Sequence, residues 1–377
     1  MFILYFIITC IITVYLTTEF LLIYLMLRKV PIRILINGTR GKTTTVKILH
    51  QVLNQSGRMT FSKTTGDLPE LHYPDGSRKQ LFRFGPANIK ENIFQLLNWV
   101  RYKPEIFVME SMALHPEMQH TLSHKIFRPT HLGITNIKKD HMEIMGTDDS
   151  AIFNCVARSF TPGSRKYLPQ ELKDNVTENI LRKPKFIYYS EESFPRRYPL
   201  IPQTIIEANW GLIKNLGKDL ELDLSTLTEV FEKEWEELNR HIKFDLPAHN
   251  LEFFNLFSMN DLETTVQFIE HVKNYSSRRR EIVLINTRAD RPLRGLTFAD
   301  YFKTLPWISE FWLAGKGKYL LKRQLNRDRP EITANLFSDA TALVNRINRG
   351  FHKPTRIYGL ANHQGMDILL DNLRELS

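Results

Sequence analysis

Short apolar runs alternate with segments of helical periodicity in the first third of the chain. The runs are "IRILI" at 32–36, "IFVME" at 106–110 and "HLGITNI" at 131–137. After the first of them, residues 42–55 repeat apolar side chains at the spacing of one helix face. Strands that alternate with helices are typical of a parallel sheet with helices on its faces, so we predict an α/β fold.

The stretch "KTTGDLPELHYPDGSRK", residues 63–79, interrupts this alternation. It is punctuated by Gly, Pro and Asp, which favour turns, and it has no helical period. We therefore predict a loop or a β-hairpin here.

A second block of alternating elements follows a polar segment at 239–250. Four further strand candidates come after it, in "FFNLFSMND", "EIVLINTRAD", "EFWLAG" and "TRIYGLA". We predict a smaller α/β unit there and place the domain boundary in the polar segment. The expected domains are 30–245 and 246–377.

The N-terminal run of residues 2–27 departs from globular composition. It contains a single charged residue, Glu19. As a helix it would extend about 39 Å, which exceeds a hydrocarbon core of about 30 Å. We interpret it as a membrane span. A buried core helix is the alternative.

Basic residues follow this run and none precedes it. Arg28 and Lys29 come directly after it, and Arg33 follows four residues after Lys29. A cleaved signal peptide would show the opposite order. Because basic residues stay on the cytoplasmic side, we expect residues 1–29 to anchor the chain in the cell membrane, with the remaining domains in the cytosol.

The cysteines and the charge limit the classes of function. Cys10 and Cys155 are the two cysteines, too few for a disulfide framework, and this agrees with a reducing compartment. The formal charge is +10, but the basic residues are scattered apart from "SRRRE" at 277–281. No aromatic and basic motif for nucleic acid occurs, so we expect acidic substrates and a lipid surface as partners and no nucleic acid.

The segment "LINGTRGKTTTVKIL", residues 35–49, joins an apolar strand to a helix through a turn suited to phosphate. Glycines let backbone N–H groups approach a phosphate, Lys42 supplies charge, and Thr43 is suited to a magnesium ion. The common phosphate-loop pattern would need a glycine at Ile36, so this is a shorter G-x-x-G-K-T loop. The candidate nucleotide-binding residues are Gly38, Thr39, Arg40, Gly41, Lys42, Thr43 and Thr44.

Two other predicted strands end in residues suited to a divalent cation. Glu110 ends "IFVME", and Asn136, Asp140 and His141 follow the next strand. In an open parallel sheet the carboxyl ends of strands meet at the ligand site. Considered singly, Glu110 could equally be a surface residue at the end of a strand, and His141 could be a structural histidine.

This combination resembles the Mur ligase superfamily, and within it the poly-γ-glutamate synthase subunits of the PgsB/CapB type. The stretches "NGTRGKTTT", "KTTGDLPELHYPDG", "VMESMALHPEMQ" and "ITNIKKDHMEIMG" look like blocks of that family in the same order. "EANWGL", "LINTRADRPLRG" and "IYGLANHQG" continue the likeness. The resemblance implies a Mur-ligase-like ATPase domain followed by a smaller Rossmann-like domain, with a transmembrane helix in front.

The resemblance also implies a reaction. ATP would phosphorylate a γ-carboxylate of a glutamyl residue, and the amine of an incoming glutamate would attack the acyl phosphate. Lys42 would hold the β- and γ-phosphates, with one or two Mg²⁺ ions present. Thr43 and Glu110 would bind the first ion, and His141 would support the second.

Further site residues are implied by position in the family blocks. Nucleotide-binding candidates beyond the phosphate loop are Asn136, Asn209 and Asn255. Asn255 shares with Asn260 and Asp261 the segment that opens the C-terminal domain. Substrate-binding candidates are Thr64, Thr65, Gly66, Arg288, Asp290 and Arg291.

One departure from the superfamily concerns the second magnesium ion. Many Mur ligases carry a carbamylated lysine about fifteen residues after the histidine, whereas residues 142–164 contain no lysine. The second ligand is therefore left open.

Two rival functions remain at this point. A folylpolyglutamate synthase would share the phosphate loop and the Asp-His pair, but those enzymes are soluble. A membrane-tethered nucleotide-binding scaffold for a transporter would not need Glu110 with His141. The favoured hypothesis is a membrane-anchored ligase that works with glutamate, a poly-γ-glutamate chain and membrane subunits of an export complex.

Overall fold

The fold is taken from a computed structural model of the chain. The residues that it describes are 1–66, 69–83, 88–139, 141–177, 185–259, 261–273, 279–289 and 291–377. Three residues singled out above lie outside these ranges, namely Asp140, Asn260 and Asp290. Internal contacts divide the chain into two compact units. The first unit comprises residues 1–194 with 207–232, and the second comprises 195–206 with 233–377.

An eight-stranded sheet forms the centre of the first unit. Its strands are β1 (Ile32–Asn37), β2 (Thr60–Lys63), β3 (Glu70–His72), β4 (Arg78–Gln80), β5 (Ile106–Glu110), β6 (His131–Ile134), β7 (Arg165–Pro169) and β8 (Phe186–Tyr189). They lie in the order β4-β3-β2-β5-β1-β6-β7-β8. The six strands β2-β5-β1-β6-β7-β8, in this spatial order, pair parallel to one another. β3 pairs antiparallel with β2, and β4 pairs antiparallel with β3 at the edge of the sheet. The α/β prediction is confirmed.

Helices cover this sheet, and several bounds agree with the sequence pattern. The helices are α1 (Phe2–Arg28), α2 (Lys42–Gln55), α3 (Glu91–Val100), α4 (Pro116–His120), α5 (Met142–Met145), α6 (Asp149–Ala157), α7 (Gln203–Asp219) and α8 (Leu224–Ile242). A π-helix spans Thr121–Phe127 and a 3₁₀-helix spans Gln170–Asn175. The predicted strands at 32–36 and 106–110 and the helix at 42–55 are confirmed.

The predicted strand at 131–137 is wrong in its last three residues. β6 ends at Ile134, where Thr135 N donates to Asn37 O at 2.9 Å. Asn136 O then accepts from Thr39 N at 3.1 Å. The strand stops there because β1 itself ends at Asn37, and Asn136 bonds to the loop after β1 rather than to a strand.

Strand β1 is central and apolar on both faces, as parallel strands covered by helices are. Ile34 and Ile36 pack in one buried cluster with α2, and Leu35 packs in another with residues of β2 and β5. The central position of β1 places the loop that follows it in the middle of the carboxyl edge of the sheet.

The stretch at 63–79 forms the predicted hairpin. β3 and β4 pair antiparallel around a turn in which Gly76 N donates to Tyr73 O at 3.0 Å. The hairpin packs on α2 through His72 and His50, whose rings are 5.3 Å apart. Burial lowers the pKa of His72 to about 4 and that of His50 to about 3.

A six-stranded sheet forms the second unit. Its strands are β9 (Lys243–Leu246), β10 (Leu251–Asn255), β11 (Arg280–Thr287), β12 (Ile308–Gly315), β13 (Thr333–Leu336) and β14 (Thr355–Leu360). Their order is β13-β12-β11-β14-β10-β9, and only β9 among them pairs antiparallel. The helices are α9 (Leu262–Lys273), α10 (Pro292–Phe302), α11 (Lys318–Asp328), α12 (Ala340–Asn348) and α13 (Asp367–Leu376), and a 3₁₀-helix spans Pro247–His249. The four strands predicted in this part of the chain are present.

The second sheet begins slightly earlier than the boundary placed at 245/246. β9 starts at Lys243 and pairs with β10. Residues 195–206 also pack with this unit, although they precede α8 in sequence. A single cut in the chain therefore does not separate the two compact units.

Helix α1 is the one helix among the described residues with the length and composition of a membrane span. Most of its apolar side chains are exposed, which argues against a soluble core helix. Its last turns differ, because Ile23, Met26 and Leu27 are buried against the first unit. Glu19 Oε2 lies 3.7 Å from Lys90 Nζ, next to the start of α3.

Candidate active site

The loop 38–41 joins β1 to α2 and has the geometry of a phosphate cradle. Gly38 has φ +111° and Gly41 has φ +79°, which disfavour any residue with a Cβ. A Cβ on Gly38 would also lie 2.5 Å from Thr135 Oγ1. The loop thus needs both glycines, and it ends at the amino terminus of a 14-residue helix, where anions are favoured.

Lys42 lies across this loop. Its ammonium donates to Gly38 O at 2.8 Å and to Thr39 O at 3.1 Å. The positive charge is therefore held at the mouth of the loop, where a polyanion would meet it.

Glu110 joins the loop to the strand-end segment at 64–66. Its Oε2 accepts from Thr43 Oγ1 at 2.9 Å and from Thr65 N at 2.8 Å. The side chain is 4% exposed. Glu110 pairs in register with Ile36, so the carboxyl ends of β5 and β1 place it beside the loop.

Gly66 lies beside this contact. A Cβ on Gly66 would lie 3.4 Å from Thr43 Oγ1. Thr64 is fixed by an N–H bond to Glu70 O at 2.9 Å, which holds the segment to the β3 strand. The structure thus brings together the predicted residues Thr43, Glu110, Thr65 and Gly66, which lie up to 67 positions apart.

Asn136 supports the phosphate loop from the neighbouring strand end. Its Oδ1 accepts from Thr39 Oγ1 at 2.8 Å and from Arg40 N at 3.1 Å, and its Nδ2 donates to Arg40 O at 3.2 Å. These contacts shape the loop from behind. Its predicted contact with the nucleotide remains a prediction.

Asn209 lies on α7 beside the same loop. Its side chain is 8% exposed, and its Oδ1 lies 2.8 Å from the position that a Cβ on Gly41 would take. Asn209 therefore lies beside the glycine loop, and its contact with a nucleotide remains a prediction.

His141 precedes α5 with a left-handed backbone, φ +49°. Its Nδ1 lies 3.9 Å from Glu143 Oε1. Across the described ranges, which omit Asp140, no three His, Cys, Asp or Glu side chains are grouped to hold a metal ion. Thr43 and Glu110 are together, and the assignment of His141 to a metal stays a prediction.

In the second unit, three predicted residues lie at the carboxyl edge of the sheet. Asn255 ends β10, Arg288 follows β11, and Arg291 immediately precedes α10. β14 lies between the two strands. Asn255 Nδ2 donates to His241 O at 3.3 Å, while its buried Oδ1 has no hydrogen-bond partner within the described part of the chain.

Comparisons with known families match both units. Residues 36–193 match the Mur ligase middle domain, and residues 243–376 match the poly-gamma-glutamate synthase CapB C-terminal domain. The chain therefore has a Mur ligase middle domain followed by a CapB-type C-terminal domain. It is an ATP-dependent amide ligase.

Two curated relatives cover most of this ligase. The capsule biosynthesis protein CapB of Bacillus anthracis is 25% identical over 380 residues, which cover 93% of this chain and 78% of the relative. The PGA synthase CapB of Bacillus subtilis (strain 168) is 23% identical over 367 residues, which cover 92% of this chain and 91% of the relative.

Solved structures share the fold of the ligase. E. coli FolC in complex with ADP has a TM-score of 0.66 at 12% identity, covering 95% of this chain and 93% of FolC. A bifunctional folylpolyglutamate synthase/dihydrofolate synthase with Mn, AMPPNP and L-glutamate bound has a TM-score of 0.61 at 13% identity. That alignment covers 93% of this chain and 91% of the other.

Sequence reasoning missed Lys63, which ends β2 directly before Thr64. Its ammonium is fully buried and donates to Glu91 Oε1 at 2.6 Å and to Asn92 Oδ1 at 2.5 Å. Burial lowers the pKa of Lys63. The lysine ties the segment at 64–66 to α3, and its place before the Thr-Thr-Gly triplet was the available signal.

Asn37 was also missed. Its Oδ1 accepts from Gly38 N at 2.8 Å, and its Nδ2 donates to Gln119 Oε1 at 2.8 Å and to Ser159 Oγ at 3.1 Å. A buried amide at the end of an apolar strand fixes the first residue of the phosphate loop. A polar side chain closing the run "IRILI" was the signal in the sequence.

Lys166 is the first lysine after His141 in the ligase, but it lies at the opposite edge of the sheet. It is the second residue of β7 and pairs with Leu132 near the start of β6. Its buried ammonium donates to Ser164 O at 2.8 Å. Lys166 therefore does not replace the missing metal-binding lysine.

Proposed function

We propose that this ligase forms the γ-glutamyl bonds of poly-γ-glutamate, with glutamate as the incoming amine. The support comes from the two curated relatives, whose names state capsule biosynthesis and PGA synthesis, and from the CapB-type C-terminal domain. One observation carries the proposal within this chain. Thr43 and Glu110 meet at 2.9 Å beside a glycine loop and Lys42, which is an arrangement for a metal-bound nucleoside triphosphate.

ATP and a divalent cation, which we take to be Mg²⁺, fit the residues present. Mg²⁺ commonly takes one or two protein ligands and fills its remaining positions with substrate phosphates and water. Thr43 Oγ1 and Glu110 Oε2 are such ligands, and the loop N–H groups with Lys42 suit the phosphates. When bound, the cation would neutralise charge on the phosphates during transfer.

The reaction we propose has two steps. A γ-carboxylate oxygen attacks the γ-phosphorus of ATP, and ADP leaves. The amine of the incoming glutamate then attacks the acyl carbon, inorganic phosphate leaves, and the amine loses a proton. Lys42 offsets the repulsion between the carboxylate and the nucleotide, which otherwise opposes the first step.

The second unit would supply the site for the incoming glutamate. Arg288 and Arg291 lie at the carboxyl edge of its sheet, and guanidinium groups bind carboxylates through paired hydrogen bonds. Asn255 at the same edge offers a buried carbonyl oxygen to a donor on a ligand. These assignments follow the family motif and the edge position.

Helix α1 would anchor the ligase in a membrane with its catalytic units in the cytosol. It is long enough to span, and Arg28 and Lys29 follow the apolar run. We propose that the anchor keeps the growing polymer near membrane subunits of an export complex.

The decisive experiment measures phosphate release from ATP and Mg²⁺ by purified full-length protein. Release is expected only with glutamate or its polymer present. Glutamate labelled with ¹⁸O in its γ-carboxylate should transfer one label to the inorganic phosphate, because the acyl oxygen leaves with it. Unlabelled phosphate would exclude the acyl phosphate.

A variant and a matched control connect this activity to the site. Lys42→Ala should abolish phosphate release, since the charge at the loop is lost. Lys47→Ala, on the same helix and 3.6 Å from Glu70, should keep most of it. Phosphate release that does not depend on glutamate, or that requires a pteroate acceptor, would contradict the proposed function.

A further inference from the structure

A basic cavity lies in the second unit, away from the residues assigned to the reaction. Its volume is about 550 Å³, which is within the range of ligand sites. The lining residues are Arg280, Arg346, Arg349, Gly350, Phe351, His352 and Lys353. Arg280 is part of the "SRRRE" run at 277–281, for which the sequence pattern indicates no function.

The cations of this cavity outnumber the carboxylate that faces them. Arg280 is paired with Glu310, whose carboxylate also accepts from Trp312 Nε1 at 2.6 Å. Arg349 and Lys353 have no side-chain partner among the residues that the structure describes, and both are exposed. The cavity therefore keeps a net positive charge and open guanidinium donors.

Arg346 gives the cavity a fixed wall. Its guanidinium stacks 4.4 Å from the centre of the Phe351 ring, and its Nη1 donates to Gly350 O at 3.1 Å. Burial lowers the pKa of Arg346, the carboxylate of Glu310 opposes this shift, and the nearby charges of Arg280 and Arg349 add to it. Three guanidinium groups thus lie in one small region, and an anion with several carboxylates would reduce the electrostatic repulsion among them.

The cavity lies at the amino edge of the sheet. Arg280 begins β11, and Arg288 follows the same strand at the opposite edge. At about 3.3 Å per residue the two are separated by about 26 Å. A ligand that reaches from one edge to the other must be a chain of several residues.

We propose that this cavity holds the polymer, by binding a run of α-carboxylates on a poly-γ-glutamate chain whose reacting end is at the carboxyl edge. The inference rests on the proposed function. A γ-linked chain carries a free carboxylate on every residue, and guanidinium groups bind carboxylates in paired geometry. The cavity would retain the product between additions.

Binding of fluorescein-labelled poly-γ-glutamate to the full-length protein tests this, with fluorescence anisotropy as the readout. Arg346→Glu/Arg349→Glu should weaken binding at least about tenfold, because attraction becomes repulsion at two positions. Arg323→Glu, an exposed arginine on α11, is the matched control and should bind as the parent does. Unfolding temperatures of the variants identify any loss of folding, and the single variant Arg349→Glu serves where the double one is unstable.

The polymer's length and chemistry provide further outcomes. A γ-glutamyl trimer should bind more weakly than the long polymer, and higher salt should weaken the binding. Equal affinity for single-stranded DNA or for vesicles of anionic lipid would overturn the proposal, as would unchanged polymer binding by the arginine variants.

The failure of this proposal is distinguishable from failure of the proposed function. Lys42→Ala should lose phosphate release and keep polymer binding, since it lies in the other unit. An active ligase whose arginine variants bind polymer normally contradicts the cavity alone. A protein without glutamate-dependent turnover contradicts the function.

Discussion

Thr43 donates a 2.9 Å hydrogen bond from its Oγ1 to Oε2 of Glu110, and the same oxygen accepts from Thr65 N. Thr43 is the second residue of α2, and Glu110 ends β5. A nearly buried carboxylate is stable there because it has two donors. The contact links the glycine loop to the segment at 64–66.

Glu110→Gln should keep the shape of this contact and lose its charge. We expect phosphate release to fall about 100-fold and the Mg²⁺ concentration for half-maximal activity to rise, because a ligand carboxylate becomes a weaker amide. A magnesium titration of activity measures both. A variant with unchanged magnesium dependence would remove Glu110 from the metal site.

His141→Ala tests the second half of the metal assignment. We expect polymer formation to be abolished, because the imidazole that would support the second metal ion is lost, and the unfolding temperature of the variant identifies any loss of folding. Polymer yield by gel analysis measures the loss. Full activity of this variant would show that His141 holds no catalytic metal.

Gly38→Ala should prevent the phosphate loop from forming. The residue has φ +111°, and the added Cβ would meet Thr135 Oγ1 at 2.5 Å. We expect ATP affinity, measured by calorimetry, to fall at least about tenfold. Gly163→Ala is the control, since a Cβ there meets nothing within 4 Å, and its ATP affinity should match the parent.

The pair of Lys63 and Glu91 predicts an unequal response to removal of its partners. Glu91→Gln leaves a fully buried ammonium without a carboxylate and should cost about 3 kcal/mol of unfolding free energy. Lys63→Met should lower the free energy of unfolding less, because the Glu91 carboxylate keeps its ion pair with Arg83, whose Nη2 lies 2.7 Å from Glu91 Oε1.

Denaturant unfolding of both variants measures this difference. Glu105→Gln breaks the half-exposed pair with Arg58 and should cost less than about 1 kcal/mol. The opposite order for Lys63 and Glu91 would mean that the lysine is held chiefly by Asn92.

Acid should destabilise the first unit through His50 and His72. Burial lowers their pKa values to about 3 and about 4, so both are neutral in the folded protein where the unfolded chain would bind protons. Stability is therefore full above about pH 6.5 and falls as the pH falls toward 4. At pH 5.5 each histidine should contribute a loss of about 1.4 kcal/mol.

Unfolding temperatures between pH 7.5 and pH 5 measure this effect. His72→Gln should flatten the pH dependence, because one of the titrating groups is gone, while His131, whose pKa burial also lowers to about 4, continues to contribute. His115→Gln, at an exposed position, should leave the slope unchanged. A slope that stays the same in the His72 variant would contradict the assignment.

The sequence by itself determined the α/β class, the helix at 42–55 and the central strands, because local periodicity and glycine chemistry act over a few residues. It also indicated Glu110 and Asn136, since each follows an apolar strand. These predictions used patterns that extend over neighbouring residues and do not depend on contacts with distant parts of the chain.

Tertiary structure alone decided which of these residues meet. β6 ends at Ile134 because β1 itself ends at Asn37, to which Thr135 bonds, and Asn136 bonds to the loop that follows β1. Lys63 becomes part of the site because α3 brings Glu91 to it, and Arg280 joins Arg346 and Arg349 in one cavity through sheet order. Such contacts depend on the order and register of the strands, which the pattern of apolar and polar residues along the sequence does not specify.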